Sequence, residues 1–379
     1  YGSVPLSDFS LLKEDDIAPF FFDWIQHSTL DEYWEQWSLE SRYAAMNVPA
    51  VHIGGWYDVF RDGTIANFNG LRREASRPAV REGQKLIIGP WYHTPWASDM
   101  GTVDFGSQAG WIVDEVQVDW FDHFLKGKPT RVTSEPAVRA FVMGERAWRD
   151  FEAWPPPDVE FVHYYLHSDG HANSLNGNGT LTSQRPRSEP PDEYAFDPHF
   201  AVPSMGGHSC CLPDIAPMGP VDQRPVERFN SVLVYSTEPL REELLVAGPV
   251  RLTLFASSSA PDTDFVGKLV DVHPDGLAIN LTEGILRCSY REGLTRRVPL
   301  VPFRVYKLAF DLGHTCNLFL PGHRVRLEVT SSHFPHWDRN FNSGNIPMTE
   351  GFESSEVAIQ AVYHETNSPS YLRLPVQSG

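Results

Sequence analysis

Hydrophobic positions along this chain keep two rhythms, and the change between them falls near Pro129. Before it, short apolar runs alternate with segments whose apolar residues recur at three- and four-residue steps. Pro49-Ala50-Val51-His52-Ile53 is a compact apolar run closed by Gly54-Gly55, which predicts a buried strand. Residues 62–74 follow with Ile65, Phe68 and Leu71 at helical spacing, and 85–88 form a second apolar strand. Residues 110–125 set Trp111, Glu115, Val118, Phe121, Asp122 and Leu125 along one side of a helix; Gly127 ends it and Pro129 prevents its continuation. This order, strand–helix–strand–helix, is that of a parallel α/β sheet. Upstream, residues 1–48 read as helical, and Thr29 and Glu32 have capping-box spacing.

Beyond Pro129 the period shortens. Alternating runs at 137–143, 160–166, 231–236, 250–256, 264–272, 305–312 and 324–330 are punctuated by Gly, Pro, Asn and Asp, with no helical pattern between them. They predict an antiparallel β-sandwich of the jelly-roll type. Residues 168–197, rich in Ser, Asn, Gly and Pro, read as a long surface excursion from it. The fold class is therefore α/β plus all-β, in three segments: helical 1–48, α/β 49–128 and all-β 129–379.

The two apolar strands each end in a Gly/Trp turn that delivers a reactive side chain. VHIGGWYDVF brings Asp58, and KLIIGPWYH brings His93. An acid and then a histidine at successive parallel strand ends is the order a Ser…Asp…His hydrolase uses downstream of its nucleophile. The imidazole takes the serine proton, and the buried carboxylate fixes its tautomer and stabilises the imidazolium. Trp56, Trp91 and Trp96 are expected to wall a substrate pocket. The nucleophile is the missing part. No window fits G-x-S-x-G; Ser107 and Ser209 come nearest and neither has the motif around it.

Composition narrows the field. With 49 acidic residues against 31 basic and a formal charge of −18, a nucleic-acid partner is not expected. No apolar run approaches the roughly 18 residues that span a bilayer, so no membrane partner is expected either. Four cysteines without CxxC spacing favour a reducing, cytoplasmic setting over a disulfide scaffold, and Cys210-Cys211 is not expected to be a redox pair. His208, His333 and His336 read as satisfied or exposed loop residues, and the acids at 262, 264, 271 and 275 as a solvated strand edge. No metal site is expected from either group.

GGWYDVFRDGTIANFNGLR followed by KLIIGPWYH resembles the end of the catalytic domain of the cocaine esterase / X-Pro dipeptidyl-peptidase family of serine hydrolases. DTDFVGKLVDVHPDGLAINLTEGILRCSYREG and LFLPGHRVRLEVTSSHFPHWDRN resemble that family's C-terminal jelly-roll domain. The resemblance implies that 1–48 are cap helices, that 49–128 are the C-terminal part of an α/β-hydrolase domain, and that Asp58 and His93 are its catalytic acid and base. It also implies a nucleophilic serine and oxyanion donors before Tyr1, so that this chain alone is inactive and is completed by an N-terminal segment, as a separate chain or otherwise. The implied substrate is a small-molecule ester or amide, and the cycle needs no metal or organic cofactor. The similar α-amino-ester hydrolases carry acids just after the catalytic Asp to hold the substrate amine. Here Val59, Phe60 and Arg61 follow, which counts against a free α-amine, and Arg61 reads as a surface helix-start residue. Without its earlier strands the sheet would expose an apolar edge, to be covered by the missing segment or by a homo-oligomer. The alternative is a non-catalytic β-sandwich binding or structural subunit, which has no use for the strand–Asp–helix–strand–His unit.

Overall fold

The computed structural model describes residues 4–14, 17–110, 112–211 and 218–377; Trp111 lies outside them. Upstream of the first strand the chain forms short helical pieces, including α1 (Pro19–Gln26), with single turns at Glu32–Glu35 and Glu40–Ala45. The turn at Glu32 is capped by Asp31, whose side chain accepts from the Tyr33 amide, and not by Thr29 as the capping-box spacing predicts. Aspartate in extended conformation one residue before the turn reaches the free N–H directly.

Four strands make the first sheet, in the order β1 (Ala50–Gly55), β2 (Gln84–Gly89), β3 (Val138–Val142) and β4 (Ala147–Phe151). β1, β2 and β3 are parallel, and β4 pairs antiparallel with β3. α2 (Arg61–Glu74) joins β1 to β2, and α3 (Ile112–Lys126) lies between β2 and β3. The run at 137–143 thus pairs into the first sheet, whereas its alternating pattern predicts a strand of the sandwich. The reason is burial on both faces: Val138, Ala140, Phe141 and Val142 are all enclosed, as a strand inside a parallel sheet requires. α3 also differs from expectation in its facing. Val113 and Trp120 are buried, while Val118, Phe121 and Leu125 are exposed.

Asp99–Met100 and Val103–Asp104 pair as a separate two-stranded sheet, and the remaining strands form one twelve-stranded sheet. Its path runs β11 (Ala278–Arg287), β10 (Asp264–Val272), β13 (Arg324–Thr330), β8 (Leu233–Ser236), β6 (Thr180–Thr182), β5 (Val159–His167), β15 (Tyr371–Gln377), β9 (Leu244–Ser258) and β14 (Ala358–Glu365). The two-residue strand Ser368–Pro369 ends the path beside β14; β12 (Tyr306–Phe319) pairs with β9, and β7 (Asp192–Phe196) with β14. The sheet folds back on itself: a Cβ on Gly267 of β10 would meet Leu252 of β9 and Leu312 of β12, strands far along the path. Residues 168–197 are not all a surface excursion, since β6 and β7 are woven into the sheet and Asp192 is fully buried. One hydrophobic core runs through both sheets, from Trp56, Phe68 and Leu86 to Leu252, Leu312 and Leu372. Among the described residues no helix is long and apolar enough to cross a membrane.

Candidate active site

Asp58 and His93 meet. β1 and β2 run in register from Ala50↔Gln84 to Gly55↔Gly89, so their C-terminal ends lie side by side. The turns continue that pairing: the Trp56 amide donates to Gly89 O and the Tyr57 amide to Trp91 O, both at 2.8 Å. A Cβ on Gly55 would lie 1.9 Å from Trp91 O, which is why the turn begins with glycine. Beyond it, Asp58 Oδ2 lies 3.1 Å from His93 Nδ1. The other oxygen, Oδ1, accepts from the Phe60 amide at 2.8 Å at the entrance to α2. One carboxylate therefore both orients the imidazole and closes the helix start, with its position fixed by the backbone. The Asp58 side chain is 4% exposed and the His93 side chain 41%, so the acid is sequestered and the ring presents an open edge. The Phe60 ring stands edge-on to it at 4.9 Å.

The tryptophans are placed differently. Trp56 and Trp91 are fully buried, their indole N–H groups donating to Phe141 O and Ala109 O. They pack the sheet behind the turns and do not wall an open pocket, because the Gly/Trp turns fold their bulk inward, under the site. Trp96 is half-buried against the same core.

A third segment, invisible in the sequence pattern, holds both turns. Residues 207–211 cross between them. The Ser209 amide donates to Tyr57 O (2.8 Å), and Ser209 O accepts from the Val59 (3.4 Å) and His93 (3.3 Å) amides. Cys210 O accepts from the Thr94 amide (3.2 Å). Cys210 and Cys211 are joined in a vicinal disulfide, against expectation, at the end of this strap. Among the described residues no hydrogen bond links the Ser209 hydroxyl to His93, and Ser107 sits in a separate short turn at Ser107–Ala109. A second Ser–His–Asp grouping, Ser168, His364 and Asp192, is buried and self-satisfied. Both ring nitrogens of His364 face carboxylates, Nε2 on Asp192 and Nδ1 on Glu189, so it has no nitrogen free to take the Ser168 proton.

Arg61 is buried and not a surface residue. Its guanidinium donates to Asp62 Oδ1 (2.8 Å), Trp56 O (3.1 Å), Thr282 Oγ1 (3.0 Å) and, by Nη1, to His208 Nε2. His208 Nδ1 in turn lies 2.8 Å from Glu283 Oε1. Burial by itself would raise the Glu283 carboxyl, but its pairing with His208 holds it well below the usual range. Burial pushes the His333 imidazole far down. His208 is thus a satisfied loop residue, part of a buried network that ties the acid-bearing turn to β11, and His333 is buried with its Nε2 lacking a hydrogen-bond partner among the described residues. The expected solvated acids are also interior: Asp262, Asp264 and Asp271 are buried, and Asp264 pairs with Arg287. Every residue of β10 is buried, so Asp264 and Asp271 are interior whichever face they take, and each of the three has a cationic or amide partner, while Asp275 is exposed as expected.

Residues 130–373 match the model of the X-Pro dipeptidyl-peptidase C-terminal non-catalytic domain, and residues 6–95 that of the X-Pro dipeptidyl-peptidase (S15 family). The chain belongs to the cocaine esterase / X-Pro dipeptidyl-peptidase family of hydrolases. Within this family it is 38% identical over 377 residues to a cocaine esterase of Rhodococcus sp. (strain MB1 Bresler), covering 98% of this chain and 64% of that one. Among solved structures it is similar to an aminopeptidase from a marine sediment archaeon, Thaumarchaeota archaeon, with TM-score 0.85 and 29% identity. It is also similar to an α-amino acid ester hydrolase, with TM-score 0.83 and 27% identity. Each of these covers 98% of this chain and 62% of the solved one. The chain thus spans a little under two thirds of the length of the relatives it matches.

Proposed function

We propose that this chain supplies the acid, Asp58, and the base, His93, of a Ser–His–Asp hydrolase of carboxylic esters, whose serine lies on a segment outside the sequence described here. The observation that carries the reading is the 3.1 Å contact between Asp58 Oδ2 and His93 Nδ1 at two adjacent parallel strand ends. With Nδ1 turned to the carboxylate, Nε2 is the nitrogen left to take a proton from an incoming serine hydroxyl. Acylation of that serine and hydrolysis of the acyl-enzyme would both pass their proton through His93. The twelve-stranded sheet is read as a rolled jelly roll, and the upstream helices as part of a cap.

Substrate preference follows from what faces the base. Val59 and Phe60 are about half exposed beside His93, while Arg61 is turned away and held by Asp62 and His208. The entrance is apolar on this side. This favours an ester with an apolar acyl or alcohol part over one with a free α-amine, and it removes Arg61 as a partner for an acidic substrate.

The partner segment is argued from the sheet. β1 is its outer strand, with no partner on its far side among the described residues, and Trp37, Val48, Val118 and Leu125 are exposed large apolar groups. Further parallel strands and helices would cover these groups.

The test is a fluorophosphonate label followed by a denaturing gel and intact mass of the purified full-length enzyme. Label on a serine outside this sequence, with the labelling rate lowered about 10⁴-fold in Asp58→Asn, is the expected result. A label on a serine of this chain, or no label on the full-length enzyme, would overturn the reading.

A further inference from the structure

We propose that Asp271, His273 and His323 form a binding site for a zinc-type divalent cation, on the wall of the cavity between the large sheet and the loops of the α/β part. β10 and β13 pair with Val272 opposite Arg324, so the next residue on one side, His273, stands beside His323 on the other. Their rings are 4.5 Å apart between centroids. Asp271 precedes His273 by two residues and so projects to the same face. One donor atom from each of the three residues lies within 4.8 Å of the others.

The partners of these groups favour an ion over a simple pair. Asp271 and His323 are buried and already engage one another, Oδ1 to Nδ1 at 2.7 Å. Asn317 on β12 donates to Asp271 Oδ2 at 3.1 Å and holds the carboxylate plane, as an outer partner of a metal ligand does. The His273 ring has no hydrogen-bond partner among the described residues, although it stands in the same cluster. Two imidazoles and a carboxylate suit Zn²⁺, Ni²⁺ or Cu²⁺ and not Ca²⁺ or Mg²⁺, which prefer all-oxygen sets. A tetrahedral ion with bonds of about 2.0–2.2 Å needs its donors roughly 3.5 Å apart. Rotation of the half-buried His273 side chain would close most of that gap.

The cluster opens on a cavity of about 520 Å³, bounded opposite by Tyr57, Asp104 and Arg146. Three protein donors leave at least one coordination position facing that space, where water or a small carboxylate could bind. Asp271 lies on β10, and His273 and His323 stand just beyond the ends of β10 and β13, so the site does not depend on the esterase reading.

The experiment uses the chain stripped with a chelator and titrated with Zn²⁺ in a calorimeter, with Mg²⁺ and Ca²⁺ as controls. One Zn²⁺ per chain is expected, with affinity lowered about 10-fold or more in His273→Phe. The half-buried His273 ring has no hydrogen-bond partner among the described residues and a phenyl ring can keep its contact with His323, so the metal-free variant should unfold at the wild-type temperature. X-ray absorption of the zinc-loaded wild type should show two imidazoles and oxygen, which decides the matter even if the variant folds poorly. No stoichiometric uptake, undiminished uptake by His273→Phe, or a shell without two imidazoles would each overturn the proposal.

Discussion

Gly313 has a φ of +88°, and a Cβ there would fall 1.5 Å from Arg61 Nη2. The guanidinium passes through the space that a side chain would fill, on its way to Thr282 and His208. Gly313→Ala is therefore expected to displace a buried cation from its partners and to cost about 3 kcal/mol, read from urea unfolding. An unchanged midpoint would mean that Arg61 does not hold the two sheets together. At this scale the sequence was informative where a residue type had one chemical use. Asp58 and His93 stood out because each follows a strand and a Gly/Trp turn. Arg61 was misread as a surface residue because its partners, His208 and Thr282, are remote in the chain, and no local period reports a contact across two sheets. The same holds for Trp56 and Trp91, whose indoles turn inward to backbone carbonyls of β3 and of the turn Ser107–Ala109.

The strap at 207–211 and the strand at 137–143 show what pattern alone leaves open at the level of elements. The strap acts through main-chain groups, which carry no side-chain signature, and it bridges the acid turn and the base turn at once. Two substitutions in the completed enzyme separate its roles. Ser209→Ala should leave turnover unchanged, since only its backbone N–H and C=O are used. Ser209→Pro removes the N–H bonded to Tyr57 O and should lower turnover about 100-fold, through misplacement of Asp58 and His93. Steady-state kinetics decide both; a dead Ser209→Ala would instead mark its hydroxyl as reactive. The 137–143 run was legible as a strand but not as a member of a particular sheet. Pairing with β2 rather than with the large sheet depends on which neighbour buries both its faces.

Across the whole molecule the junction of the two sheets is titratable. Trp154 Nε1 donates to His314 Nδ1 at 3.0 Å, which requires a neutral acceptor nitrogen. Burial pushes this imidazole down to about 4, with Asp62 opposing and Arg61 adding to the shift. The unfolded histidine titrates near 6.5, so between about 6.5 and 4 the unfolded chain binds the extra proton and stability falls with falling pH. About 2 kcal/mol should be lost over that window, allowing for solvent at the ring edge. His314→Asn should flatten the dependence of urea stability on pH between 7 and 4. An equal slope in both proteins would place the acid sensitivity elsewhere.

The hydrophobic rhythm by itself determined that a parallel α/β unit precedes a β-rich part, and that Asp58 and His93 sit at successive strand ends. Those are local matters: period 3.6 against period 2, and turn residues beside apolar runs. The tertiary structure alone decided the rest. It set the 3.1 Å contact, the strap across both turns, the buried Arg61–His208–Glu283 network and the meeting of Asp271, His273 and His323. Each joins groups far apart in the chain, and such meetings are fixed by how two sheets bury their faces against one core, a global balance that no single window of sequence contains.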